Sequence, residues 1–395
     1  MSVYAALGVT PIINAKGSST RVSGGLLSPV VNAAMAEAAG FCVDMADLQA
    51  AASRVIARVT GAEAGIVTSG AAAGLLLGAA ACLTRLDPAR MARLPDTSGM
   101  PSEIIVVRSQ RNAYDHAVRA AGARLVEVGL PDRFSGAGIR DAELWEIAAA
   151  ITPATVAIYY VFSPQSQPPL AEVVTLAHRH DLPVLVDAAA QLPPASNLRA
   201  LPATGADLVA FSGGKAINGP QGSGILCGRR DLIMSAILQN LDLDLDWNSW
   251  NPPANLIDKA RLPGLPANGI GRSSKIGKES IVGLLTALEL FAAEPDEART
   301  ARHLHILNQL RQLAPDLAFT LRPGPVPLLA LAATNAREAL AELQNGQPAI
   351  HLDPSALSDG ILQINPTCLR PDDLPILASR LQAVVTPHSG VKSVE

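Results

Sequence analysis

Between about Glu63 and Gly228, short runs of β-branched and aliphatic residues alternate with Ala/Leu-rich segments of helical length, a rhythm that few folds accommodate. The clearest runs are Ile104–Arg108, Leu125–Gly129, Thr155–Phe162 (TVAIYYVF), Leu182–Ala188 (LPVLVDA) and Asp207–Ser212 (DLVAFS). Segments such as Leu170–His180 lie between them as helices. Each run is apolar almost throughout rather than alternating, as strands covered on both faces are. Repeated units of this kind predict an α/β fold, a mostly parallel sheet with helices on both sides. Ligands of such sheets bind at the carboxyl ends of the strands.

Two stretches break the rhythm. Arg85–Ser102 reads as a long loop, and Asp242–Asn268 holds LDLDWNSWNPP and LPGLPANG, whose prolines and glycines deny it a long helix. The second stretch carries Trp247 and Trp250, as a lid or a subunit contact would. Glu279–Ala293 reads as a helix, and weak strands at Val326–Ala332 and Ile361–Ile364 predict a small α+β domain after it. The expected organisation is an N-terminal arm (1–40), a large domain (41–285) and a small C-terminal domain (286–395), with Ser389–Glu395 a frayed tail. A chain that is 49% hydrophobic and 17% charged can bury such a core.

With a net charge of −4 and no basic stripe, nucleic acid is not an expected partner. Cys42, Cys82, Cys227 and Cys368 are scattered with no CxxC pair, which predicts buried, reduced thiols and no metal site. The N-terminus does not read as a signal peptide, and the longest bland apolar stretch, Ala71–Leu83, is too short for a bilayer. A soluble, cytoplasmic protein is expected.

Five motifs carry the chemistry. In FSGGKAINGPQGSGIL (Phe211–Leu226) a strand ends in Ser-Gly-Gly and presents Lys215 where a ligand would sit. A lysine partly desolvated there is neutral and nucleophilic, suited to a Schiff base, although a surface lysine in a turn would share the pattern. LPVLVDAAAQ ends a strand in Asp187, 28 residues before Lys215 (215 − 187). A sunken carboxylate needs a positive partner, and the pyridinium nitrogen of pyridoxal 5′-phosphate (PLP) is one. A helix N-cap is the alternative, since three alanines follow. In GIVTSGAAAGLLLGAAA a strand runs through Ser69 and Gly70 into an Ala-rich helix, whose free N–H groups make an anion site at Ser69, Gly70 and Ala71, with Ser212 adding a hydroxyl. An ordinary helix start reads the same way. Tyr114 and His116 follow the strand Ile104–Arg108, and either would suit the face of a cofactor ring. Arg272, Lys275 and Lys278 cluster before a helix as phosphate or carboxylate ligands, or as a solvated helix start.

Taken in order, these motifs resemble the fold-type-I PLP enzymes of the aminotransferase class-V superfamily, in the branch similar to selenocysteine synthase and D-glucosaminate-6-phosphate ammonia-lyase. The resemblance runs from about Val9 to Leu381 and is most specific at Ile13–Gly25, Thr68–Gly74, Leu94–Arg108, Val186–Pro194, Ser212–Gly224 and Gly269–Leu285. It implies a PLP-dependent transferase-like fold with a seven-stranded sheet in the large domain. It makes Lys215 the Schiff-base lysine and Asp187 the pyridinium partner. The implied cofactor set is Ser69, Gly70, Ala71, Tyr114, Asp187, Gln191, Ser212 and Lys215. Asn14, Ser18, Thr20, Arg21, His116, Trp250, Arg272 and Lys275 are implied near substrate or phosphate. The resemblance also implies a homodimer or larger assembly with the active site at the subunit interface.

The expected reaction is elimination of a β-substituent from a small hydroxylated amino acid, giving a 2-oxo acid and ammonia. Retro-aldol cleavage, C–S elimination and racemisation start from the same cofactor chemistry. A tRNA-dependent transferase is disfavoured by the acidic charge, and a non-catalytic binding protein by the intact Lys215–Asp187 pair. Arg370 is the nearest candidate for a carboxylate-binding arginine in the last domain, but LRPDDLP reads equally well as a helix start.

Overall fold

Twelve strands form in chain order among the described residues: β1 (Ile13–Ala15), β2 (Ala64–Thr68), β3 (Glu103–Val107), β4 (Arg124–Val128), β5 (Thr155–Val161), β6 (Val184–Asp187), β7 (Leu208–Ser212), β8 (Gly224–Gly228), β9 (Phe319–Arg322), β10 (Leu328–Ala332), β11 (Ile350–Leu352) and β12 (Ile361–Ile364). This computed structural model describes residues 3–130 and 141–385, so the expected tail Ser389–Glu395 lies outside the described residues. The chain divides into two compact units, residues 27–292 and residues 1–26 with 293–395.

The larger unit is built on a seven-stranded sheet of order β2-β8-β7-β6-β5-β3-β4. Its pairings are parallel except around β8, which runs antiparallel to both β2 and β7. The apolar runs are continuous because successive side chains feed different cores. Tyr159, Leu185, Leu208 and Ala210 pack on one face with the helix Gly70–Thr84, while Tyr160, Val184, Val186, Val209 and Phe211 pack on the other with the helix Leu170–His178. The helix Gly70–Thr84 lies close on the sheet because its sequence is small. At Gly78 a Cβ would come within 2.7 Å of Leu185 Cδ1.

The register positions the site. Val161 pairs with Asp187 and Asp187 with Ala210, while Gly224 pairs with both Ser212 and Thr68. The carboxyl ends of β2, β5, β6 and β7 therefore share one edge with the start of β8.

In the smaller unit β1 pairs in parallel with β11, and β12-β10-β9 form an antiparallel sheet. The helices Asp296–Leu313, Ala336–Asn345 and Leu374–Val384 share its core.

Three expectations differ from the structure. Residues 1–26 group with the C-terminal unit through the β1–β11 pair rather than forming an arm to residue 40, and the boundary expected at 285/286 falls inside the helix Lys278–Ala293. The stretch Arg85–Ser102 contains a short helix, Pro88–Arg93, capped by Asp87, whose carboxylate accepts from Ala89 N at 2.9 Å and Arg90 N at 3.2 Å. Cys42 is exposed, on the link between the helices Pro29–Ala39 and Met45–Thr60. The other three thiols are buried, and burial pushes that of Cys82 up to about 12.

Candidate active site

Asp187 is the last residue of β6 and is only 7% exposed. No helix follows it, so it caps none. Its Oδ1 instead accepts from Ala189 N at 3.0 Å across a turn, and its Oδ2 accepts from the Tyr159 hydroxyl at 3.4 Å. Burial raises its carboxyl above the ordinary range. The Ala189 N–H, the Lys215 charge and the Tyr159 hydroxyl offset this only in part. A buried acid with two hydrogen bonds and no cation within ion-pair distance is suited to a cationic or protonated ring nitrogen. Tyr159 was not legible as a site residue, because a tyrosine in an apolar strand reads as core. The only signal was a hydroxyl that a buried strand must satisfy.

Lys215 follows β7 in a turn that the hairpin to β8 closes. Gly213 N donates to Ser223 O and Gly219 N to Gly213 O, both at 2.9 Å. The two glycines before the lysine are required sterically. A Cβ on Gly213 would lie 2.4 Å from Ser223 Oγ, and one on Gly214 2.6 Å from Gln221 O. Among the described residues Lys215 makes no ion pair. Its ammonium is held below the ordinary lysine range by burial, which the Asp187 charge opposes.

Ser69 begins the helix Gly70–Thr84 without capping it; its hydroxyl donates to Ser274 O at 2.8 Å. The first-turn N–H groups of a 15-residue helix are thus left for an anion. Gly70 has φ +86° and open space where a Cβ would stand. The neighbouring strand fits tightly, since a Cβ on Gly224 would lie 2.4 Å from Gly70 C and 2.5 Å from Ala71 N. Ser212 ends β7 opposite Gly224, and Gln191 lies in the turn after Asp187, with its N–H on Ala188 O at 3.1 Å. Asn240 Nδ2 donates to Gly271 O at 2.9 Å and Ser274 O at 3.3 Å, fixing the segment that holds Ser69. The Ser69–Ser274 bond joins residues 205 apart in the chain and has no local sequence signal.

Beside Asn240 opens a cavity of about 610 Å³, lined among others by Gln49, Trp250, Arg272, Lys275 and Ile276. Arg272 Nη2 pairs with Asp242 Oδ2 at 2.5 Å, whereas Lys275 is exposed and without an ion pair among the described residues. The tryptophan loop is clamped from within. Lys259 Nζ donates to Trp247 O and Trp250 O at 2.6 Å each and lies 4.7 Å from the Trp247 ring centroid. Tyr114 and His116 are both exposed, at the start of the short helix Asp115–Ala120, whose buried Asp115 pairs with Arg111 and Arg119. Lys278 is paired with Glu279.

In the smaller unit Asn14 is buried, and its amide is committed to Gly17 O, Gly24 O and Lys16 N. Arg21 is exposed. Arg370 is occupied by Asp373, with Nη2 to Oδ1 at 2.9 Å, and serves the helix start rather than a free carboxylate site.

Residues 110–240 match the aminotransferase class-V family. The chain is 32% identical to a 5′-C-glycyluridine monooxygenase-decarboxylase from Streptomyces, over 98% of this chain and 93% of the relative. It is 29% identical to a D-glucosaminate-6-phosphate ammonia lyase from Salmonella typhimurium, over 97% of this chain and 98% of the relative. A solved structure of D-glucosaminate-6-phosphate ammonia-lyase superposes with a TM-score of 0.78 at 28% identity, covering 97% of this chain and 98% of the other.

Proposed function

The chain belongs to the fold-type-I pyridoxal-phosphate enzymes of the aminotransferase class-V superfamily, and from that premise we propose that it is a lyase acting on a hydroxylated amino acid. The reaction balances without an oxidant: the substrate loses its Cα proton and β-hydroxide, and the resulting enamine tautomerises and takes up water. The products are a 2-oxo acid and ammonia. The observation that carries this reading is the end-to-end similarity, in sequence and in fold, to an ammonia-lyase.

The residues present fit the cofactor. A buried, uncompensated carboxylate, an unpaired desolvated lysine and an uncapped helix start share one sheet edge. Bound there, the pyridine ring supplies an electron sink for the pair left when the Cα–H bond breaks. Ser69, Gly70, Ala71 and Ser212 would hold the phosphate, and Asp187 would face the ring nitrogen, kept in place by Tyr159 and the Ala189 N–H. Tyr114 or His116 would cover the ring. Lys215 Nζ would carry the cofactor and move the Cα proton, which its lowered proton affinity favours. Trp250, Arg272 and Lys275 would stand toward the substrate.

The test is to incubate the holoenzyme with D- and L-β-hydroxy amino acids, D-glucosaminate-6-phosphate included, and to assay ammonia and 2-oxo acid together. Equimolar release from one panel member is expected; release from none removes the lyase assignment. The similarity to the monooxygenase-decarboxylase favours a second reading, oxidative decarboxylation of an amino acid. Turnover that stops under nitrogen and yields carbon dioxide would move the assignment there.

The same proposal includes a cytoplasmic enzyme that works on small molecules and not on nucleic acid. Among the described residues no helix is long and apolar enough to cross a membrane. It also includes a homo-oligomer with its active site at the subunit interface. Val30, Phe41 and Val43 are each more than half exposed, as a surface covered by a second copy would be. Light scattering should give a multiple of the 40.9 kDa chain, and a monomer would end this part.

A further inference from the structure

Two adjacent tyrosines of β5 meet different surroundings on opposite faces of the sheet. The Tyr160 hydroxyl donates to Pro168 O at 2.9 Å, a backbone acceptor that satisfies a buried phenol. Tyr159 is wholly buried, in the core with Leu185, Leu208 and Ala210. Among the described residues its hydroxyl has one hydrogen-bond partner, Asp187 Oδ2 at 3.4 Å.

The register accounts for this reach. Tyr159 pairs with Leu185 and Val161 with Asp187, in parallel. Tyr159 and Asp187 therefore share a face, offset by two residues, or roughly 6–7 Å of rise along the strands. A phenol laid along β5 spans that step. The end of β5 is itself fixed. Val161 N donates to Gln110 Oε1 at 3.1 Å, Gln110 Nε2 to Gln167 O at 3.3 Å, and Phe162 N to Asp187 O at 3.0 Å.

The surrounding charges keep Tyr159 a donor. Burial, then the Asp187 charge and hydrogen bond, then the Asp115 charge, make the phenol hold its proton more tightly than usual, and Arg111 opposes them. At Asp187 the groups that offset burial are the Ala189 N–H, the Lys215 charge and this hydroxyl. Lys215 is the reacting amine, so the charge at its Nζ changes through turnover. The Tyr159 hydroxyl is the side chain that stays constant.

We propose that Tyr159 is a positioning residue that, through Asp187, keeps the proton they share with the cofactor on the ring nitrogen rather than on the carboxylate. It rests on the reading of Asp187 as the ring-nitrogen partner and not on the lyase reading. A carboxylate that accepts from two fixed donors is a weaker base, so the proton stays on the ring and the ring stays a strong electron sink. Without the hydroxyl the proton would shift toward Asp187 Oδ2.

The test is ¹⁵N NMR of the holoenzyme loaded with PLP labelled at the ring nitrogen, at one fixed pH. Tyr159→Phe keeps the aromatic ring and its packing. In it the ratio of protonated to unprotonated ring nitrogen should fall about tenfold, equivalent to one pK unit, and the resonance should move toward that of unprotonated pyridine. Incorporating 3-fluorotyrosine at position 159 gives a stronger donor and should move the resonance the opposite way, a reversal that packing alone does not produce. Melting curves check that each protein is folded, and if Tyr159→Phe does not fold, the fluorinated protein carries the test. An unmoved resonance in folded Tyr159→Phe, or a fluorinated protein that is unmoved or moves in the same direction as Tyr159→Phe, overturns the role of Tyr159. Asp187→Asn separates this from the reading beneath it. If its resonance moves while that of Tyr159→Phe does not, Tyr159 is core alone. If neither moves, Asp187 is not the partner of the ring nitrogen.

Discussion

Lys215→Ala should turn a yellow enzyme colourless, removing the absorbance near ~420 nm expected for this cofactor class, and should lower turnover by about 10²–10⁴-fold or more through loss of the proton carrier. The turn around Lys215 is built from backbone contacts and glycines, not from the lysine side chain, so the variant should fold. Its melting temperature should stay close to that of the wild type when both are compared as apoproteins. A variant that keeps the band and the activity would show that another lysine carries the cofactor. One that loses activity together with its fold would leave the role of Lys215 to Lys215→Arg, which retains the charge but not a neutral amine. Exogenous small amines should restore part of the activity of Lys215→Ala, since they supply the base that the variant lacks.

Asp187→Asn is the second large effect, and it should act in opposite directions on apoprotein and holoenzyme. In the apoprotein the carboxyl is buried and raised above its ordinary range. Its contribution to stability is thus complete below the unfolded carboxylate range and is lost as pH rises through the raised folded value. Asparagine keeps the shape and can still accept from Ala189 N, but it has no charge to bury. Apo Asp187→Asn should therefore melt above the apo wild type at neutral pH, with a flatter dependence on pH through the carboxyl range. With PLP the order should reverse, because only the wild type gains the ion pair with the ring nitrogen. Turnover should fall by about 10²–10³-fold as the electron sink weakens. Paired melting curves with and without PLP, at pH 5 and 8, decide it. If the apo variant melts lower than the apo wild type at both values, Asp187 is a structural acid rather than a cofactor ligand.

Much of this was open to reading from sequence because the chemistry stands where strands stop. Asp187 and Lys215 each follow an uninterrupted apolar run, and a polar residue there has to be explained by what lies beyond the sheet. Parallel pairing of β6 with β7 then brings the two strand ends side by side. What stayed hidden depends on partners distant in the chain. Tyr159 has the composition of core and acquires its role only when β5 lies against β6. The use of the Ser69 hydroxyl is set by Ser274, and nothing near either residue announces the other. The three-residue strand β1 is too short to register as a strand, so its partnership with β11 could not be anticipated, and with it the grouping of residues 1–26. Asp87-Pro88 reads in sequence as part of a loop, although the same pair is a helix cap followed by a first-turn proline.

The β1–β11 pair also sets the order in which this protein can be made. Residues 27–292 form one unbroken stretch, and their sheet can close as soon as that stretch has left the ribosome. The smaller unit has to wait. Ile13 must keep its edge unpaired until Ile350 is synthesised, through more than three hundred intervening residues. A nascent chain therefore carries a short unpaired β segment near its start for most of its synthesis, while the cofactor-binding sheet is already assembled behind it. Chains released early would hold a folded larger unit and an unprotected N-terminal strand, a form open to proteases and to pairing with a neighbouring chain.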